Sequence, residues 1–207
     1  VNPLPLVTVN SGTVCEGSSF TISAAGADTY SYSGGSAVVT PAATGAYTVT
    51  GTNSFGCVNS AVSTVSVFSN PTISRAGGTI CAGNNFTLLP DGGDTYTFSQ
   101  GPVVSPSVTT SFSVTGTSVN GCPGLLPAVA NVTVYQLPDV SASTGNEKLC
   151  PGETATLSLS GAVFYSVNLS TSGQAVIITP TISSTYTVTG TDAKGCSKTI
   201  LFTQDVE

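Results

Sequence analysis

Apolar and polar residues alternate in short runs along this chain, and no segment carries the three-to-four-residue period of a helix. The runs recur in a fixed order. Tyr47 and Val49, Phe112 and Val114, and Tyr186 and Val188 stand two residues apart inside Thr-rich segments, which places each pair on one face of a strand, the face expected to meet a core. Each strand ends in Thr-Gly-Thr (50–52, 115–117, 189–191). A short loop follows, opening with Asn53, Ser118 or Asp192 and closing with Gly56, Gly121 or Gly195 directly before a cysteine. Short polar side chains bond their own backbone and glycine adopts positive φ, so these loops predict hairpins. The return strands are predicted over 61–68, 128–135 and 198–203.

The same order extends upstream. Cys-x-Gly at Cys15, Cys81 and Cys150 marks a tight turn into an alternating strand carrying Phe20, Ile22 and Ala24, then Phe86 and Leu88, then Ala155, Leu157 and Leu159. A Gly-rich corner leads to strands bearing Tyr30 and Tyr32, Tyr96 and Phe98, and Tyr165 and Val167. A fourth strand stops at Pro41, Pro106 or Pro180, which lack the N–H a ladder needs. The third copy differs in length only here, with a longer hairpin from Asn168 to Gln174. The chain is therefore read as all-β: three tandem immunoglobulin-like β-sandwich modules, 1–69, 70–137 and 138–207, of about six strands each. An even number of simple reversals would put the first turn and the last at the same end. The brief Pro-containing junctions predict a stiff, elongated array.

Units this small usually need a staple, and each holds two of the six cysteines. Six cysteines allow fifteen pairings. Giving every module the same bond selects Cys15 with Cys57, Cys81 with Cys122, and Cys150 with Cys196, each closing a loop worth roughly 4 kcal/mol. Metal ligation is disfavoured, since histidine is absent and no Cys-x-x-Cys pair occurs. Disulfides point to an extracellular or cell-surface location. The chain opens without a basic-then-apolar leader, which reads as a processed form or a segment of something longer. No apolar run approaches the roughly 20 residues of a membrane helix, so membrane insertion is not expected. Only 7% of residues are charged and the net charge is −6, which argues against a nucleic-acid partner.

Together, Cys-x-Gly, Gly-x-x-Thr-Tyr-x-aromatic, the Tyr-Thr-Val-Thr-Gly-Thr strand and the closing Gly-Cys resemble the tandem Ig-like, PKD-like repeats of large Bacteroidetes-type extracellular surface proteins. The resemblance covers all three units. It implies β-sandwich modules acting as stalks, spacers and adhesins; that no enzymatic activity and no cofactor are expected follows from the residues themselves. Tyr32, Phe98 and Val167 depart from the Trp common in that family.

Candidate chemistry is sparse. Without histidine, and with dispersed carboxylates, no catalytic triad or metal hydrolase site can be assembled. Asp91 and Asp94, with Asp28 as their counterpart in the first unit, read as turn formers or as weak Ca²⁺ ligands. Tyr30, Tyr96 and Tyr165 read as core side chains with hydroxyls at the rim, or as a sugar-stacking platform. Asn85, Asn131 and Asn168 open N-glycosylation sequons. Lys148, Lys194 and Lys198 all fall in the third unit, which excludes an isopeptide crosslink common to the modules. The opening segment, with Leu4, Leu6, Val7 and Val9, reads as an intrachain first strand or as a strand donated to another subunit. The expected function is the shaft of a surface adhesin or filament, with copies of itself or the rest of a longer repeat chain as partners. The alternative is a module binding glycans or proteins through its loop tips, where Phe55 is the aromatic candidate.

Overall fold

The computed structural model describes residues 2–168 and 170–207; Val1 and Leu169, the middle residue of the Asn168–Ser170 sequon, lie outside the described residues. Every regular element among the described residues is a strand.

In the first repeat, Gly12–Cys15, Val58–Phe68, Gly45–Thr52 and Thr29–Tyr32 lie side by side in that order in one sheet. Opposite it, Thr8–Val9 pairs with Ala24–Ala25, and Phe20–Thr21 pairs with Val38–Val39, both antiparallel. The alternation read from sequence fills the space between. Ile22, Val39 and Val49 are buried there, packed by Phe20, Tyr30, Tyr32 and Tyr47. Two layers with one apolar face each make an immunoglobulin-like sandwich.

One feature of this sheet departs from simple reversal. Only Asn10 and Ser11 separate Thr8–Val9 from Gly12–Cys15, and the chain changes sheets there without turning back. Asn59 donates to the Pro5 carbonyl, Ser63 to the Asn10 carbonyl, and Gly12 lies opposite Val65, so the opening segment climbs alongside the closing strand in the same direction. The Cys-x-Gly turn is present, with the Ser18 N–H donating to the Cys15 carbonyl at 2.9 Å, but a parallel strand absent from the sequence reading leads into it and sets Cys15 opposite Phe68. The other repeats share the arrangement. Gly78–Cys81 runs parallel to Ala128–Tyr135, and Lys148–Leu149 parallel to Ser197–Val206.

Corner glycines hold the opening segment in place. A Cβ on Gly26 would stand 1.8 Å from the Leu6 carbonyl oxygen, and one on Gly161 would stand 1.9 Å from that of Asp139. Both glycines have φ above +90°, so close approach and backbone conformation each require glycine. In the third repeat, Val140, Leu157, Leu159, Tyr165, Val167, Ile178 and Val188 form the core. Its longer hairpin supplies an added strand, Ser170–Ser172, paired to Phe164–Val167.

By compactness the chain divides into two units: Val1–Ala76 with Leu89–Ser99 and Ser113–Val129, and Gly77–Leu88 with Gln100–Phe112 and Ala130–Glu207. The first unit holds the whole first repeat and part of the middle one. The second holds the remainder of the middle repeat and the whole third.

Candidate functional site

The parallel opening strand decides where the cysteines stand. Cys15 ends its strand opposite Phe68, whereas Cys57 immediately precedes the start of the Val58–Phe68 strand. At about 3.3 Å per residue, that strand holds the two cysteines about 35 Å apart, far beyond the roughly 7 Å a disulfide can span. The predicted bonds within repeats are therefore absent. Cys15 is bonded to Cys122 and Cys81 to Cys196, with Cα atoms 5.5 Å apart in both, while Cys57 and Cys150 remain thiols. Each bond joins the early turn of one repeat to the late loop of the next. The first lies wholly in the first compact unit and the second wholly in the second.

The local chemistry of these half-sites repeats. In each late loop, the residue four before the cysteine caps its backbone N–H: Asn53 accepts from Cys57 at 2.9 Å, Ser118 from Cys122 at 3.2 Å, and Asp192 from Cys196 at 2.9 Å. This is the Asx or Ser turn read from sequence. In each early turn, the N–H three residues on donates to the cysteine carbonyl, from Ser18, Asn84 and Glu153. Further bonds brace the closed joints. Asn70 donates to the Glu16 carbonyl at 3.0 Å, and the Lys194 ammonium sits 5.4 Å from the centre of the Tyr135 ring. Cys122 and Cys196 are both fully buried.

The aligned tyrosines form no exposed platform. The Tyr165 hydroxyl accepts from the Ala162 N–H at 2.7 Å and donates to the Ala162 carbonyl at 2.9 Å, and Tyr30 and Tyr96 do the same with Ala27 and Gly93. Each ring packs inward while its hydroxyl closes a corner of three residues. Tyr165→Phe is expected to leave both backbone groups of Ala162 unpaired and to lower stability by about 1–3 kcal/mol. A denaturant midpoint indistinguishable from the parent would refute that assignment.

The remaining candidates are dispersed. Thr8–Val9 is paired within its own chain and Val7 is buried, but Leu4 and Leu6 point to solvent. Asp91 accepts the N–H of Gly92, and Asn131 accepts from Ser111 at 2.8 Å. Asn85 accepts from Ser105. Lys148 pairs with Glu207, and Lys198 with Asp139. Phe55 is 65% exposed.

Two features escaped sequence reading. Leu125 and Leu126, in a loop unique to the middle repeat, are exposed and border a cavity of about 480 Å³ with Pro71, Ile73 and Pro127. Gln204 is buried, bonding Thr144 and the carbonyls of Asn146, Glu147 and Asp205. The insertion before Ala128 signalled the first. Nothing in the local pattern signalled the second.

No protein-family model and no curated protein matches the chain. Among solved structures it is similar to a three-domain immunoglobulin fragment of titin, at 11% identity and a TM-score of 0.43, covering 99% of this chain and 98% of that one. A Ca²⁺-stabilized adhesin that helps an Antarctic bacterium bind ice gives 13% identity and a TM-score of 0.42, covering 99% and 74%. The N-terminal eight immunoglobulin domains of Down syndrome cell adhesion molecule give 14% and 0.40, covering 99% of this chain and 42% of that one. The chain thus spans under half the length of that last fragment.

Proposed function

We propose that this chain is a non-catalytic, extracellular shaft segment of a surface adhesin or filament, built from immunoglobulin-like modules at 1–69, 70–137 and 138–207. The pair of inter-repeat disulfides carries the reading. A bond within a module would stabilise that module alone, whereas a bond from one repeat to the next restrains the joint and transmits load across it. Such bonds require an oxidising compartment. Pro71 and Pro138 stiffen the same junctions, and the low charge of the surface suits close lateral packing.

Negative-stain electron microscopy of the thiol-blocked chain tests the reading. Three-bead rods of constant length are expected, and compact or freely jointed particles would overturn it. Repeating the images at rising concentration after deletion of residues 1–9 tests strand donation. Filaments lost on deletion would establish it; assembly unaffected by deletion would exclude it.

A second reading is favoured by the exposed Leu125 and Leu126 beside their cavity: a loop surface that takes a protein or glycan ligand. Leu125→Ser with Leu126→Ser would then abolish cell adhesion without altering the rods.

A further inference from the structure

Resting on the shaft reading, we infer that Cys150 and Cys57 are the two open halves of the same staple, and that a second copy of this chain closes them head to tail. Two closed staples within the chain supply the template. Cys150 occupies the place of Cys15 and Cys81: it follows a strand parallel to the closing strand of its repeat, and Leu149 opposite Val206 continues the register that sets Cys15 opposite Phe68 and Cys81 opposite Tyr135. Cys57 occupies the place of Cys122 and Cys196, with the same capped loop. The correspondence extends to the sulfur. Cys57 Sγ lies 3.9 Å from the Asn2 carbonyl oxygen, as Cys122 Sγ lies 4.0 Å from that of Phe68.

The surroundings of Cys150 correspond to those of the closed Cys81 joint. Cys150 is exposed beside a cleft lined by Lys148, Leu149, Glu153 and Glu207. At the closed Cys81 joint the corresponding cleft is lined in part by Lys194, the residue two before the bonded Cys196. Two before Cys57 stands Phe55, which is exposed. In a joint between copies, Phe55 therefore covers the Cys150 cleft. Early-turn and late-loop half-sites differ in structure, so the contact is heterologous, and repeating it extends an open chain of copies instead of closing a symmetric dimer.

The chemistry is thiol–disulfide exchange. The Cys150 thiolate attacks a disulfide oxidant such as oxidised glutathione, forming a mixed disulfide and releasing one glutathione thiolate. The Cys57 thiolate of the second copy then attacks the protein sulfur and releases the other. The two cysteines lose two electrons, which reduce one glutathione disulfide to two thiols, and the two cysteine protons pass to the solvent or to those thiolates.

The test is incubation of the concentrated 207-residue chain with oxidised glutathione, followed by non-reducing electrophoresis. A ladder in steps of the 20.5 kDa chain is expected, collapsing on reduction, with the dimer band yielding a Cys57–Cys150 crosslinked peptide. Cys57→Ser and Cys150→Ser should each leave the chain monomeric, and an equimolar mixture of the two variants should give a one-to-one heterodimer. Phe55→Ala should slow ladder growth severalfold. Monomers carrying two glutathione adducts, an intrachain Cys57–Cys150 bond, or symmetric Cys57–Cys57 and Cys150–Cys150 dimers would each overturn the inference. The rods of the thiol-blocked chain are scored separately, so a missing ladder leaves the shaft reading intact.

Discussion

Digested with trypsin after unfolding in a thiol-alkylating buffer, the chain is expected to yield a disulfide-linked assembly of fragments 1–75, 76–148 and 195–198, while fragment 149–194 is released with an alkylated Cys150. Arg75, Lys148, Lys194 and Lys198 are the four basic residues, and they divide the six cysteines favourably. Fragment 1–75 holds Cys15 and is tied by it to Cys122 in fragment 76–148. That fragment also holds Cys81, tied to Cys196. Bonds within repeats would give a different map: fragments 1–75 and 76–148 would separate without reductant, and 149–194 would stay attached to 195–198. Mass spectrometry before and after reduction reads the difference directly. Recovery of free 1–75 without reductant would sink the inter-repeat staple, and the shaft proposal would lose its main support.

Stretched from its two ends, the oxidised chain is expected to extend to about one third of the length reached after reduction. The shortest covalent path leaves the first repeat at Cys15, enters the middle repeat at Cys122, returns along it to Cys81 and crosses to Cys196. That path contains about 70 residues, so at about 3.5 Å each it reaches about 240 Å, against about 720 Å for the whole chain. Cys15→Ser should lengthen the oxidised path by about 25 residues, or about 85 Å. Single-molecule force spectroscopy with and without reductant measures each contour length. Equal lengths in the two conditions would show that the staples do not bear load. The difference matters for a shaft, because a module that unfolds under tension releases little slack while both bonds hold.

The strand faces were legible in the sequence because side-chain alternation is a local property. Val49, Val114 and Val188 are fully buried, and Phe112 is nearly so, as their spacing required. The loops before Cys57, Cys122 and Cys196 were legible for the same reason, since Asn53, Ser118 and Asp192 cap backbone groups only two to four residues away. Whether two strands run parallel or antiparallel depends on partners some fifty residues apart, which no local period records. The change of sheet between Val9 and Gly12 reverses the inference drawn from counting strands, and it moves Cys15 to the far end of the repeat from Cys57.

By itself, then, the sequence determined that this is a repeated β-sandwich chain whose cysteines recur at equivalent places, because periodicity, turn chemistry and proline stops act over a few residues. Only the tertiary structure decided which cysteines meet. A disulfide needs two Cα atoms within about 7 Å, and that proximity is set by the direction of the Gly12–Cys15 strand and by the path of the chain out of Phe68 into the next repeat.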